Sequence, residues 1–312
     1  MNGNKIRGRF APSPSGRLHL GNMLSSLLAW LDVRSLGGEM VFRLEDLDPD
    51  RSFYEYSCQM ADDLSWFGLD WDTGWRPNEH DEYAQSTRTA LYENVFHQFE
   101  ELGLVYPCYC SRAQRLGASA PHPGEPQDAG CGCIRMSEQQ RKLLTRKPSY
   151  KVHVNDCSIQ FEDEHYGLQR TNMCAGSDDF IIRRADGVFA YQLAVSYDDA
   201  VMGITRVIRG RDLLDSTSKQ IWLIQQMGYE PPVYCHAPLL VVNDGRKMSK
   251  RNGDLSMEVL RKTHTPEQLC GKLAYIAGLI KHPDPVAPID LVSEFSWDKV
   301  PVENIILPEN LF

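Results

Sequence analysis

The sequence predicts an α/β fold built on a doubly wound parallel sheet, and three observations carry that prediction. The first 46 residues read in the order strand, turn-rich loop, helix, strand, which is the crossover unit of a parallel sheet. A chain of 312 residues that is 42% hydrophobic can bury one large core or two moderate ones, so one to three globular domains are expected. Between Cys108 and Cys133 the chain turns rich in Gly, Pro and Ala, with a Cys-x-Cys pair at each end, which suits an inserted unit organised around a metal.

Taken in order, Ile6 to Phe10 is a short β-prone run, and the two prolines of Ala11-Pro12-Ser13-Pro14-Ser15-Gly16 exclude helix there. From about Leu20 to Leu36 apolar residues recur at helical spacing (Met23, Leu24, Leu27, Leu28, Leu31), and Gly37-Gly38 stops them. Met40 to Leu44 reads as a buried strand, and residues 54 to 68 and 86 to 104 as helices. From Ser149 to about Val207 β-prone runs dominate, with Asp186-Gly187 as a hairpin turn between Phe180–Ile182 and Val188–Tyr191. A helix at about Ser216 to Met227 leads to an apolar strand, Ala237 to Val242, then an exposed basic loop. A helix from Pro266 to about Leu279 and an irregular Pro-rich tail follow.

No apolar run approaches the roughly 20 residues that span a bilayer, and Met1 to Arg9 does not resemble a secretion signal, so a cytoplasmic location is expected. Nine cysteines, an odd number in a long chain, argue for thiols and a metal site over a disulfide framework. The net charge of -9 argues against indiscriminate nucleic-acid binding.

Residues 12 to 22 form a Pro- and Gly-rich loop that delivers His19 and Gly21 to the first turn of a helix, where free N–H groups and the dipole favour an anion. His19 offers a donor to a phosphate oxygen, and Gly21 permits close approach of a ligand. The plain alternative is a proline-rich loop with a helix-capping histidine. In the second loop Lys247 and Lys250 flank Ser249 after a buried strand, placed to neutralise a triphosphate; the plain alternative is a solvated basic turn. There is no G-x-x-x-x-G-K-[ST] sequence, so a P-loop is not the competitor.

RFAPSPSGRLHLGN at 9 to 22 resembles the segment carrying the HIGH motif of class I glutamyl-tRNA synthetases, with His19-Leu20-Gly21-Asn22 in the HIGH positions. KMSKR at 247 to 251 resembles their KMSKS motif, and FRLEDLDPDRS at 42 to 52 a third family segment. Asn22 and Arg251 depart from the final residues of the two motifs. The resemblance implies a Rossmann-like catalytic domain that uses ATP and Mg²⁺ and binds glutamate. Arg9, Phe10, Ala11, Pro12 and Ser13 match the substrate segment, with Arg9 a carboxylate partner. Glu45 matches the residue that holds the α-ammonium, and Tyr191 and Arg209 match further contacts, Arg209 a second carboxylate clamp. His19, Gly21, Asn22 and Lys250 would serve ATP, and His19, Lys247 and Lys250 catalysis. Without the resemblance, Glu45 and Arg209 read as surface ion pairs.

Cys108, Cys110, Cys131 and Cys133 are enough for a tetrahedral structural Zn²⁺ site, with His122 an alternative ligand. The first pair matches the family's pattern; the second is inferred from thiolate chemistry. The expected division is a catalytic domain at 1–107 and 190–255, an inserted zinc-bearing α/β subdomain at 108–189, and a short C-terminal helical part at 256–312. The stretch after Arg251 is shorter than the anticodon-binding region of those synthetases, and length and wording also resemble the truncated glutamyl-Q tRNA(Asp) synthetases. That resemblance implies a monomer that esterifies glutamate to queuosine in the anticodon loop of tRNA(Asp). A short enzyme charging tRNA(Glu) and a non-catalytic RNA-binding paralogue are the alternatives.

Overall fold

The structure, a computed structural model, describes residues 5–111, 131–242, 255–308 and 311–312. Lys247, Ser249, Lys250 and His122 lie outside them. β1 (Arg7–Phe10), α1 (Leu20–Ser35) and β2 (Glu39–Phe42) form the expected unit, parallel from Arg7 opposite Glu39 to Phe10 opposite Phe42. α2 (Tyr54–Phe67) crosses to β3 (Thr73–Gly74), parallel to β2. Gly74 has φ 124°, and a Cβ there would lie 2.2 Å from the Phe42 carbonyl oxygen, so glycine alone lets β3 close on β2.

After α3 (Thr89–Glu101) come β4 (Val105–Cys108), α4 (Glu138–Lys142), β5 (Ser149–Val152), β6 (Cys157–Asp163), β7 (Gly167–Met173) and β8 (Phe180–Arg183). β4, β5 and β8 make an antiparallel sheet, and β6 and β7 a hairpin. The chain continues through α5 (Tyr191–Val201), β9 (Arg206–Gly210), α6 (Thr217–Gln226), β10 (Val233–Ala237), β11 (Leu240–Val241), α7 (Met257–Thr263), α8 (Pro266–Ile276) and β12 (Ile305–Ile306). β9 and β10 are parallel, and the hairpin joins the far edge of β10 through β6.

β1 runs beside β9, and the Thr205 N–H donates to the Arg7 carbonyl at 2.9 Å. The strands therefore follow in space as β3, β2, β1, β9, β10. The chain winds one way from β1 and the other way from β9, so a crevice opens between the carboxyl ends of these two strands. α1 packs against this seam, burying Leu20, Met23, Leu24, Leu27, Leu28 and Leu31. Each such side chain contributes roughly 1.5–3 kcal/mol of transfer free energy. Asp32, buried on the same helix, accepts from Arg206 and from the Trp297 indole N–H, which fastens the C-terminal segment to α1.

Three expectations are corrected. Tyr191 opens α5 and does not end a hairpin strand: its neighbours have β propensity, but the buried residues Ala194, Val195, Asp198 and Asp199 recur at helical spacing. The turn at Asp186-Gly187 forms, with Gly187 at φ 96°, yet the hairpin is reduced to a bridge between Arg183 and Phe189. The strand predicted over Ala237 to Val242 is interrupted at Pro238, which has no N–H for a ladder. β10 ends at Ala237, and β11 pairs instead with β12, so the tail expected to be irregular supplies a strand. No helix of the described residues is long and apolar enough to cross a membrane.

Candidate active site

A cavity of about 510 Å³ opens at the β1–β9 seam. β1 and the loop after it contribute Arg9, Phe10, Ala11, Pro12 and Ser13; the start of α1 contributes His19, Gly21 and Asn22. Glu45 follows β2, Tyr191 begins α5, and Arg209 stands on β9. Every described residue named from the sequence for glutamate or ATP thus lines one cavity. Lys247 and Lys250 lie outside the described residues; the described residues that flank them in sequence meet the rim. Leu240 lines the cavity before them; after them, Ser256 bridges His19, and the Met257 N–H donates to the Leu18 carbonyl at 2.9 Å.

The capping reading of His19 is realised. His19 is the N-cap of α1, its Nδ1 accepts from the Gly21 N–H at 3.2 Å, and the Asn22 side chain accepts from the His19 N–H at 3.1 Å. The N–H groups of Asn22 and Met23 reach the His19 carbonyl. The expectation of free N–H groups at this helix start is therefore narrowed: those of His19, Gly21 and Asn22 are taken locally. Gly21 makes room for the imidazole, because a Cβ would lie 3.2 Å from it.

Glu45 and Arg209 are not surface ion pairs. Glu45 accepts from Arg43 Nη2 at 3.1 Å, and Arg43 Nη1 donates to Asp199 Oδ1 at 2.7 Å. Arg9 Nε donates to the same Asp199 oxygen at 3.2 Å and its Nη1 to the Ile208 carbonyl at 3.2 Å, with Nη2 in neither bond. Burial raises the Glu45 carboxyl above its usual range against the pull of Arg43 and Arg9. Burial would also raise Asp199, but there the two arginines prevail and hold it below the usual range. Arg43, Asp198 and Asp199 were missed from sequence. The clue was the helical spacing of Asp198 and Asp199 beside Ala194 and Val195, which sets two acids on an inward face.

Arg209 is different. Nε donates to His236 Nε2 at 3.1 Å, Nη1 to Gln220 at 2.6 Å, and Nη2 to Thr217 at 2.8 Å and the Leu213 carbonyl at 3.4 Å. Among the described residues no carboxylate pairs with this guanidinium, although it is 7% exposed. A buried cation held by neutral partners favours an anion in the adjoining cavity.

The pattern of the tRNA synthetases class I (E and Q), catalytic domain, matches residues 5–278. A curated glutamyl-Q tRNA(Asp) synthetase of Symbiobacterium thermophilum is 43% identical over 96% of this chain and 95% of its own length. The chain belongs to the glutamyl-Q tRNA(Asp) synthetases of class I. This synthetase is accordingly a ligase. It is also 35% identical to glutamate–tRNA ligase 2 of Syntrophus aciditrophicus, covering 99% of this chain and 65% of that one. A crystal structure of a glutamate tRNA ligase from Elizabethkingia meningosepticum superposes with TM-score 0.80 at 23% identity, over 98% of this chain and 68% of that one, and shares the fold.

Cys108, Cys110, Cys131 and Cys133 converge, with ligand atoms all within 4.8 Å of one another. Three sulfur separations are 3.4, 3.4 and 3.7 Å, and a tetrahedral Zn–S₄ site has edges of about 3.8 Å. The Tyr109 N–H donates to Cys133 Sγ at 3.3 Å, an outer contact that suits a thiolate ligand. The donor set fits zinc.

Proposed function

We propose that the cavity activates glutamate with ATP and that the product is transferred to queuosine at the wobble position of tRNA(Asp). Arg209 carries this proposal: a buried guanidinium with which no carboxylate of the described residues pairs, in the same wall as Arg9 and Glu45, matches an amino acid with two carboxylates and one ammonium. Arg9 and Arg209 hold the carboxylates and Glu45 the ammonium, while Tyr191 and the backbone from Phe10 to Ser13 shape the pocket. His19, Gly21, Asn22 and Lys250 attend the ATP. A glutamate α-carboxylate oxygen attacks the α-phosphorus, the bond to the bridging oxygen breaks, and pyrophosphate leaves with its electron pair. Mg²⁺, when bound with ATP, supplies further charge neutralisation. His19, Lys247 and Lys250 stabilise the charge that develops on the phosphates.

The name of the Symbiobacterium relative supports the queuosine acceptor, with identity that extends over nearly the whole of both chains. Labelled glutamate is expected to enter tRNA(Asp) that contains queuosine and not the same tRNA without it. Incorporation into tRNA(Glu) alone would overturn the acceptor. Lys250→Ala is expected to slow ATP–pyrophosphate exchange far more than it weakens glutamate binding, measured by titration calorimetry.

The inserted unit, residues 108–189, is proposed to hold a structural zinc on Cys108, Cys110, Cys131 and Cys133. Cys131→Ser with Cys133→Ser is expected to remove the zinc measured by elemental analysis and to lower the thermal midpoint. Zinc retained in full by that variant would move the ligand set elsewhere, with His122 the next candidate.

A further inference from the structure

We infer that Asp163 and His236 form a positioning pair that sets the direction in which Arg209 faces the cavity. The inference deepens the proposed function and rests on it for the identity of the ligand. Asp163 ends β6, His236 stands in β10 and Arg209 in β9, so three strands of one sheet place these side chains in a row. Asp163 Oδ2 lies 2.6 Å from His236 Nδ1, and His236 Nε2 lies 3.1 Å from Arg209 Nε. Both members of the pair are fully buried.

The tautomer follows from the donors. Arg209 Nε–H has only a proton to give, so His236 Nε2 accepts, and the imidazole proton sits on Nδ1 and is donated to Asp163. Burial lowers the basicity of the ring against the pull of Asp163, in keeping with a neutral imidazole. Asp163 cannot turn: its other oxygen accepts the N–H groups of His165 at 3.1 Å, Tyr166 at 2.9 Å and His236 at 3.3 Å. The hairpin turn after β6 thus fixes a carboxylate, the carboxylate fixes a tautomer, and the tautomer holds the Nε edge of Arg209. With Nη2 tied to Thr217 and Leu213, the Nη1 edge is the one that retains an unused N–H beside its bond to Gln220.

Asp163→Asn tests this with almost no change of shape. Its amide oxygen must stay on the three backbone N–H groups, so the NH₂ faces His236, the ring proton moves to Nε2, and two donors then oppose each other at Arg209. The expected result is a glutamate KM raised on the order of 10- to 100-fold, the scale on which metal-binding residues respond to loss of an outer hydrogen-bond partner, with the KM for ATP unchanged. His236→Phe, which removes the acceptor, should behave alike. His236→Gln, which can present an oxygen near the Nε2 position, should stay closer to wild type. Nitrogen-15 NMR of histidine-labelled protein should show Nδ1–H in the wild type and Nε2–H in Asp163→Asn. A folded Asp163→Asn protein with an unaltered glutamate KM overturns the inference. So does a wild-type ring protonated on Nε2, or equal damage from His236→Gln and His236→Phe. If the wild type activates an amino acid other than glutamate, the proposed function falls, whereas the NMR tautomers still decide the pair.

Discussion

Arg209→Gln is expected to abolish glutamate-dependent ATP–pyrophosphate exchange at ordinary glutamate concentrations without unfolding the protein. Truncating one partner of a buried, hydrogen-bonded charge pair costs about 2–5 kcal/mol of binding, roughly 30- to several-thousandfold in affinity. The effect on stability should have the opposite sign. In the free protein Arg209 is a buried cation whose direct partners, His236, Gln220, Thr217 and the Leu213 carbonyl, are all neutral. Glutamine keeps a polar side chain there and removes an ion that is costly to desolvate. The thermal midpoint without glutamate should therefore hold or rise, while the upward shift expected from glutamate in the wild type should be absent from the variant. A variant that binds glutamate normally would exclude Arg209 as the clamp.

Arg43→Met should have the largest effect on stability. Arg43 is fully buried and donates to Glu45 and Asp199, so methionine leaves two carboxylates in the interior with Arg9 as the cation that remains beside them. Breaking a buried pair in this way costs about 3–5 kcal/mol, read as a lower urea midpoint at constant slope. Glutamate binding should fall as well, because without Arg43 the raised Glu45 carboxyl moves further toward its neutral form. Arg43→Lys should recover only part of the loss, since an ammonium lacks the planar fork that spans the two acids. A midpoint equal to that of the wild type would show that Arg9 alone suffices.

The part of the site that lies in one stretch was legible. Arg9 to Asn22 form one contiguous stretch, from the end of β1 to the start of α1, whose prolines, glycines and following helical period each report local geometry. Arg43, Asp163, Asp199 and His236 were not legible as a group, because what defines them is distance across the fold. Arg43 finds Asp199 from 156 residues away, and His236 finds Asp163 from 73. Secondary structure failed where local preference was ambiguous. Tyr191 to Val195 suits a strand by residue type and a helix by spacing, and burial between β8 and α6 decides for helix. Pro238 was visible as a ladder breaker within the predicted strand, but the partner that β11 acquires beyond it lies more than sixty residues along the chain.

That partner bears on the order in which the molecule can become competent. Ile305 and Ile306 dock in parallel on Leu240 and Val241, and Leu240 lines the cavity to which Arg9 and His19, far earlier in the sequence, also contribute. A nascent chain halted before β9 would hold Arg9, His19 and Glu45 but no Arg209. One halted before β12 would carry all four yet leave β11 with an open edge. The pocket is thus assembled through contacts of high sequence separation, which cost loop-closure entropy before they form, and its walls come together only in the finished fold.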